Sequence, residues 1–237
     1  MKAMILAAGE GTRLLPFTKD KPKALVKYRG TPILELLIHR LVQAGFKEIV
    51  INVYHYSDQI ISFVDDHNGF GADVTFSKED QLLDTGGGIK RAMPHLGNEP
   101  VLFHNIDILT NIDLKQLYQD HLSRGGKATL VVKDRPTSRS LLYDHNDRLV
   151  GWEHPEKRIR IISRKIRKGF RETAFSGIYI LDPSLFESFP EEDVFSLTPW
   201  LIELSGVEDL KVWNQEDYFW YDLGTVENLG VAEKADI

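Results

Sequence analysis

Two glycines and two basic residues near the start of the chain have types and spacing that suit phosphate binding. Gly9 and Gly11 directly follow a short apolar run, where they let the backbone turn tightly and approach a phosphate without Cβ clashes. Successive amides in such a turn can form an anion-binding nest. Arg13 adds a charged fork that matches phosphate oxygens, and Lys23 adds a mobile point charge one loop further on. The pattern predicts a phosphate-binding loop.

This loop differs from two familiar glycine-rich nucleotide-binding motifs. Glu10 lies between the glycines, and no third glycine follows at the spacing of a dinucleotide fingerprint. No Gly-Lys-Ser/Thr triplet follows either, so the loop is not a Walker loop. A Gly-x-Gly after a strand is often only a turn, so the surrounding elements must support the prediction.

The first half of the chain alternates strand-like and helix-like segments, which must position the loop. Apolar runs predict strands at 2–8, 48–53, 72–76 and 100–103. Helical spacing predicts helices at 32–44, after a Ser57 cap, at 86–96 after a glycine-rich turn, and at 113–122. Alternation of this kind implies parallel strands with crossover helices, the doubly wound α/β class.

The second half is richer in strands. Segments 128–132, 141–152 and 173–181 predict mixed or antiparallel pairing appended to the parallel sheet. A helix at 197–204, a strand at 210–213 and a helix after Gly224 complete the chain. We therefore predict an α/β fold with a mainly parallel, mixed sheet flanked by helices. We expect one domain over 1–237, with a small β-rich lobe near 135–180.

Composition excludes several kinds of protein. The chain has 237 residues, a formal net charge of −6 and no cysteine. The negative charge disfavours a nucleic-acid partner, and the lack of cysteine excludes disulfides and Cys-based zinc sites. The N-terminal apolar run is too short for a signal peptide or a membrane span. We expect a cytoplasmic protein without a membrane partner.

The whole string around the loop resembles the signature of the sugar-1-phosphate nucleotidyltransferase family. It reads G-x-G-T-R-L, P-x-T and P-K-A-L-V, and the residues in register are Gly9, Gly11, Thr12, Arg13, Leu14, Pro16, Thr18, Pro22, Lys23, Leu25 and Val26. The resemblance extends along the whole chain, and from its length we expect no appended acyltransferase. It implies a Rossmann-like domain and a nucleotide site formed in part by Ala8, Gly9, Gly11, Thr12, Arg13 and Lys23.

Two aspartates match the magnesium ligands of that family. Asp107 follows a predicted strand in Asn105-Ile106-Asp107, and Asp222 lies in a W-x-D-x-G-T segment. Each by itself could be a cap or a turn residue, but the two motifs together favour Mg²⁺ ligation. Ile106 stands where the family commonly has glycine. Either this loop has a conventional backbone here or the metal site is altered.

The reaction that the resemblance implies is displacement at the α-phosphorus of a nucleoside triphosphate. A sugar 1-phosphate attacks in line and pyrophosphate leaves. Arg13 would hold the leaving phosphates and Lys23 would neutralise the α-phosphate, so both are predicted as catalytic. No general base is needed, because a phosphate monoester has its second pKa near about 6.

The base and the sugar are predicted to meet different parts of the chain. Gln81 carries a donor and an acceptor, which suits a pyrimidine edge, although a surface amide is an equal alternative. Thr85 and Gly86 follow in a glycine-rich turn that lets the backbone approach the base or ribose, unless it is a simple helix entry. The predicted sugar-binding residues are Asn105, Glu153, Ser176 and Gly177.

Within the family, the patterns L-x-T-G-G-G-I and F-S-G-I look most like N-acetylmuramate-1-phosphate uridylyltransferases. Mannose-1-phosphate guanylyltransferases share much of them. The family often has E-K-P, whose lysine contacts the sugar phosphate, where this chain has Glu153-His154-Pro155. His154 and Ile106 favour another class, a non-catalytic nucleotide-binding module. A phosphocholine cytidylyltransferase would share the loop but would need aromatic residues around a quaternary ammonium.

A basic cluster stands out in the otherwise acidic chain. Its members are Lys157, Arg158, Arg160, Arg164, Lys165, Arg167, Lys168 and Arg171. We interpret it as a solvated hairpin. The alternatives are that one member binds an acidic substrate group, such as a lactyl carboxylate, or that the cluster binds nucleic acid, which the net charge disfavours.

Overall fold

A mixed β-sheet runs through the centre of the protein, in a computed structural model that describes residues 1–166, 169–214 and 217–236. The strands are β1 (Lys2–Leu6), β2 (Lys27–Tyr28), β3 (Thr31–Pro32), β4 (Glu48–Val53), β5 (Asp73–Lys78), β6 (Val101–Asn105), β7 (Ile108–Thr110), β8 (Ala128–Lys133), β9 (Ser140–Tyr143), β10 (Leu149–His154), β11 (Ile159–Ile162), β12 (Arg171–Leu181), β13 (Leu210–Asn214) and β14 (Trp220–Asp222). The α-helices are α1 (Ile33–Gln43), α2 (Ser57–Asp66), α3 (Asp84–Leu96), α4 (Leu114–Arg124), α5 (Leu197–Leu204) and α6 (Val226–Lys234). Among the described residues, no helix is long and apolar enough to cross a membrane.

The first half of the sheet is parallel, as the alternation of elements predicted. Strand β1 lies between β6 and β4, and β5 follows β4 at the edge. Ala3, Met4 and Ile5 of β1 are fully buried, because helices cover both faces. The carboxyl ends of these strands meet at one edge of the sheet, which is where α/β folds bind ligands.

Helices pack on both faces of this sheet, which confirms the predicted α/β class. Successive strand residues point to opposite faces. Ile5 packs in a core with α1, α2, α4 and α6, whereas Met4 packs in a second core with α3 and α5. The near-continuous apolar runs of the parallel strands follow from this double burial.

The strands of the predicted lobe continue the same sheet rather than forming a separate layer. The long strand β12 pairs with β6 near its carboxyl end and with β9 near its amino end, both antiparallel. Strands β10 and β11 extend the sheet beyond β9. The pairing of β12 with β8 shifts register between Phe175 and Tyr179, and Gly177 in this bulge has a φ of 73°. A positive φ is readily available only to glycine.

The glycines at 86–88 lie inside α3, so of the two alternatives for them the helix entry is correct. The helix begins at Asp84. Glycine costs about 1 kcal/mol relative to alanine in a helix, so three in succession need a packing reason. A Cβ at Gly86 would lie 2.3 Å from Phe195 Cε2, and one at Gly87 would lie 2.0 Å from the carbonyl oxygen of Asp193. The glycines let a neighbouring segment pack against the helix backbone.

The start of α2 also differs from the prediction. Ser57 was predicted to cap this helix, but Tyr56 occupies the cap position with a φ of 52° and no side-chain cap bond. Ser57 is the first residue of the helix, and its hydroxyl donates to Asp58 Oδ1 at 3.3 Å. The helix therefore begins through tertiary packing of Ile60 and Val64 rather than through a serine cap.

Candidate active site

A small two-stranded sheet, which we did not predict, brings Asp107 and Asp222 together. Strands β7 and β14 pair antiparallel, with Ile108 opposite Asp222. The amide of Leu223 donates to the carbonyl oxygen of Asp107 at 2.7 Å. Strands of three residues are too short for hydrophobic periodicity to reveal them. The pairing places both aspartates at the carboxyl edge of the main sheet.

Charged side chains converge around Gly224. A Cβ at this residue would lie 2.7 Å from Asp222 Oδ1, 2.9 Å from Asp107 Oδ2 and 3.1 Å from Arg13 Nη2. The Gly224 amide donates to Asp222 Oδ1 at 2.7 Å. Burial raises the pKa of Asp222, and the neighbouring Asp107 carboxylate raises it further. Two crowded carboxylates favour a cation between them.

Lys23 reaches the same place from the N-terminal loop. Its Nζ forms a hydrogen-bonded ion pair with Asp107 Oδ2, and both side chains are largely buried. Gly11, with a φ of 69°, leaves room for its neighbours, since a Cβ there would lie 3.0 Å from both Lys23 Cβ and Thr18 Cγ2. The Thr18 hydroxyl donates to the carbonyl oxygen of Gly11 at 2.9 Å. The glycine, threonine and lysine of the sequence string thus pack as one unit.

The two carboxylates fit the chemistry of a magnesium site. Mg²⁺ takes oxygen ligands, and proteins often hold it by one or two carboxylates while water and substrate phosphates complete its shell. Asp107 and Asp222 supply such a pair. In the part of the chain that the structure describes, no three His, Asp or Glu side chains form a metal cage. A metal held here would need further oxygens from a ligand.

Arg13 is an exposed residue of a short 3₁₀ helix, Thr12–Leu14, and its guanidinium lies near Gly224. We expect Arg13→Ala to lower turnover about 100-fold, since it removes a charged donor from the predicted phosphate-binding loop. The melting temperature should hardly change because the side chain is exposed. Initial rates and thermal unfolding measure both, and Lys19→Ala, an exposed cation of the same loop, is the control. A large fall in melting temperature with unchanged kinetics would identify Arg13 as structural.

A cleft of about 540 Å³ opens beside these charges. This volume suits a small ligand such as a nucleotide. The predicted site residues that line it are Ala8, Gly9, Lys23, Thr85, Asn105 and Asp107. The phosphate loop, the amino end of α3 and the first metal-ligand candidate therefore share one cavity.

Two predicted base-binding residues take other positions. Gln81 is exposed and does not line the cleft. Gly86 is buried, and its amide donates to the carbonyl oxygen of Phe195 at 3.0 Å. Of the two alternatives for Gln81, a base contact and a surface amide, its exposed position agrees with the surface amide.

A buried polar pair in the cleft wall was not predicted. Asn52 and Glu79 are each 3% exposed, and Asn52 Nδ2 donates to Glu79 Oε1 at 2.7 Å. The amide of Ala7 donates to Asn52 Oδ1 at 2.7 Å, and that of Leu83 donates to Glu79 Oε2 at 3.1 Å. Burial raises the pKa of Glu79. The available signal was an asparagine in the otherwise apolar run of β4, since a buried amide needs partners.

Three of the predicted sugar-binding residues lie together where β6 and β12 pair. A Cβ at Gly177 would lie 2.8 Å from Asn105 Nδ2 and 3.2 Å from Ile108 Cγ1. Ser176 is fully buried, and its hydroxyl hydrogen-bonds to the Tyr218 hydroxyl at 3.2 Å. Asn105 therefore lines the cleft, whereas Ser176 supports its wall.

Glu153, the fourth predicted sugar-binding residue, lies further from the cleft, towards one edge of the sheet. Its strand β10 is separated from β12 by β9, two strand spacings of about 4.8 Å each. Arg160 Nε donates to Glu153 Oε2 at 2.6 Å. The structure thus pairs Glu153 with its own hairpin. His154 points to the opposite face, where with Trp152 it lines a separate groove of about 870 Å³.

Most described members of the basic cluster are exposed, in agreement with a solvated hairpin. These are Lys157, Arg158, Arg160, Lys165 and Arg171. Arg164 instead ties the hairpin to the end of α5, donating to the carbonyl oxygens of Ser205 at 2.5 Å and Glu208 at 2.6 Å. Arg167 and Lys168 lie outside the described residues.

Ile106 adopts a conventional backbone at the position where glycine was expected. It is not among the described residues with positive φ, and its side chain is 3% exposed. Its amide donates to the carbonyl oxygen of Leu6 at 3.2 Å. Of the two alternatives for this residue, the conventional loop is therefore correct. The isoleucine does not displace Asp107 from the charged cluster.

Comparison with known proteins agrees with this geometry. Residues 2–237 match the family model described as nucleotidyl transferase. An N-acetylmuramate alpha-1-phosphate uridylyltransferase of Neisseria meningitidis is 35% identical over 98% of this chain and 97% of its own length. A mannose-1-phosphate guanyltransferase of Debaryomyces hansenii is 30% identical over 94% of this chain, which spans only 61% of that relative. The solved structure of HddC from Yersinia pseudotuberculosis complexed with GMP-PN has a TM-score of 0.75 and 26% identity, over 98% of both chains.

Proposed function

The chain belongs to the nucleotidyl transferase family and is a sugar-1-phosphate nucleotidyltransferase, and from this premise we propose that it joins UTP to N-acetylmuramate 1-phosphate. The products are the UDP-sugar and pyrophosphate. One observation carries the reaction type: Asp107, Asp222 and Arg13 converge at Gly224. Two carboxylates and a cation at the mouth of a nucleotide-sized cleft suit the transfer of a phosphorus group.

The proposed step is an in-line displacement. A phosphate oxygen of the acceptor forms a bond to the α-phosphorus of UTP, and the bond from that phosphorus to the bridging oxygen of the β-phosphate breaks. Lys23 is placed to neutralise charge at the α-phosphate, and Arg13 is placed to hold the departing pyrophosphate. The acceptor phosphate is already ionised near neutral pH, so no residue has to remove a proton from it.

Magnesium is part of the proposal. Asp107 and Asp222 would hold the ion, which when bound neutralises phosphate charge and orients the reacting groups. Lys23 contacts Asp107 in the structure, so the ion and the ammonium group would share this carboxylate. This shared carboxylate would link the metal site directly to Lys23, the residue assigned to the α-phosphate.

The choice of UTP rests on the relative from Neisseria, which matches over nearly the full length of both chains. A guanylyltransferase is the second candidate, and Glu79 favours it. An ionised carboxylate only accepts hydrogen bonds, and guanine offers it two adjacent N–H groups.

The choice between UTP and GTP as the donor is tested by measuring pyrophosphate release with each triphosphate. We expect turnover with UTP and N-acetylmuramate 1-phosphate to exceed that with GTP and mannose 1-phosphate by at least about 100-fold, because a site that pairs one base edge leaves groups unpaired with another. We expect Glu79→Ala to raise this ratio further, because it removes from the cleft wall a carboxylate that suits guanine. Turnover confined to GTP and mannose 1-phosphate would identify a guanylyltransferase. A changed ratio in Gln81→Ala would return base recognition to Gln81.

A further inference from the structure

Residues 190–195 form a segment, here called the strap, that crosses the amino end of α3. The carbonyl oxygen of Phe195 accepts from the amides of Gly86 at 3.0 Å and Gly87 at 3.2 Å, and its amide donates to the carbonyl oxygen of Leu83 at 3.3 Å. The Phe195 ring and the Asp193 carbonyl occupy the space that side chains at Gly86 and Gly87 would fill. The strap is therefore fitted to this end of the helix.

Lys90 binds the remaining residues of the strap, 190–193, through hydrogen bonds. Lys90 Nζ donates to the carbonyl oxygens of Pro190 at 3.1 Å, Glu191 at 2.7 Å and Glu192 at 3.1 Å. It also donates to Asp193 Oδ1 at 3.1 Å. An ammonium group has three N–H donors, so these four oxygens take up its whole hydrogen-bonding capacity. Lys90 organises four successive residues through one charge.

The strap forms part of the nucleotide cleft. Val194 lines the cleft together with Asp84 and Thr85 from the amino end of α3. The same strap carries three exposed acidic residues, Glu191, Glu192 and Asp193, directly before Val194. Removing the Lys90 ammonium would both loosen Val194 and leave Asp193 without its partly buried counter-charge.

We propose that Lys90 is a positioning residue for the nucleoside triphosphate: it holds the strap on α3 so that Val194 closes the cleft over the nucleotide. The identity of the ligand rests on the proposed function, and the part played by Lys90 rests on its four contacts. Lys90 acts through the strap and makes no contact with the reacting atoms.

The test compares Lys90→Met with Lys90→Arg and Lys127→Met. Lys127 is the matched control, because its ammonium bonds to Ser184 at 2.7 Å and it does not line the cleft. We expect Lys90→Met to weaken UTP binding, or GTP binding if GTP is the donor, about tenfold by calorimetry. The KM for the triphosphate should rise by a similar factor, while kcat at saturation and the KM for the sugar phosphate stay near wild type. Lys90→Arg should restore part of the affinity.

A second variant keeps the proposal open to contradiction if Lys90→Met folds poorly. Gly87→Ala places a Cβ 2.0 Å from the Asp193 carbonyl, so it should displace the strap and give the same rise in KM. If folded Lys90→Met and Gly87→Ala bind triphosphate as tightly as Lys127→Met, the proposal is wrong. An equal loss of acceptor affinity would also overturn it. If the wild-type protein binds neither UTP nor GTP, the proposed function fails instead.

Discussion

Asp107→Asn and Asp222→Asn are each expected to abolish magnesium-dependent turnover while the protein stays folded. Asparagine keeps the shape of the side chain but supplies a neutral oxygen, which holds Mg²⁺ and offsets phosphate charge far less well. We expect at least about a 1,000-fold loss, since charge stabilisation is the main contribution to this kind of transfer. The contact from Leu223 uses the Asp107 backbone and survives the substitution.

Pyrophosphate release measured across a magnesium titration checks this result, with thermal unfolding beside it. Asp58→Asn is the control, because Asp58 lies on the surface, where it pairs with Lys78 and the hydroxyl of its neighbour Ser57. If either active-site variant kept near-wild-type rates with magnesium, that aspartate would be removed from the metal site. Loss of folding in both variants would show that the carboxylates are structural instead.

Gly224→Ala is expected to lower turnover about 100-fold without removing any charged group. The added Cβ would lie 2.7 Å from Asp222 Oδ1 and 2.9 Å from Asp107 Oδ2, closer than atoms can pack. The neighbours are ends of flexible side chains rather than backbone, so the carboxylates and Arg13 should move apart while the chain still folds. Displaced ligands should also raise the magnesium concentration needed for half-maximal rate.

Gly230→Ala is the matched control for this substitution. Gly230 lies inside α6, and a Cβ there meets nothing within 4 Å. Alanine should stabilise the helix by about 0.5–1 kcal/mol and leave the kinetics unchanged. Equal kinetics for Gly224→Ala and wild type would mean that the charges at Gly224 do not have to keep the spacing seen in the structure.

The parallel half of the fold and the phosphate loop could be predicted because both carry local signals. Buried parallel strands give continuous apolar runs, and the loop string has many fixed positions, of which Gly11 is explained by contacts with Lys23 and Thr18. The prediction of Ala8, Gly9 and Lys23 in one site follows from that string alone. Their shared cleft is a consequence of the sheet edge at which β1 ends.

The parts that could not be predicted depend on contacts between distant segments. Strands β7 and β14 exist only because they pair with each other, and neither three-residue sequence indicates which distant segment is its partner. The sequence predicted a helix from Gly86, but the reason for glycine at 86 and 87 is the approach of Phe195 and Asp193, which no local pattern shows. Glu79 was overlooked in favour of Gln81 because sequence does not show which of two nearby polar side chains turns inwards.

The pairing of β8 with β12 has a consequence for how acceptor preference could be exchanged between relatives. After Lys133 the chain forms β9, β10 and β11 at one end of the sheet and comes back along β12, where Ala174 is the paired neighbour of Lys133. Because Lys133 and Ala174 are adjacent, the two ends of the intervening segment lie close together in space. Segments whose ends are close in space are those that proteins best tolerate as insertions. A chimaera joined at this residue pair would exchange the hairpins that carry Glu153 and His154, while Asn105, Ser176 and Gly177 stay in place.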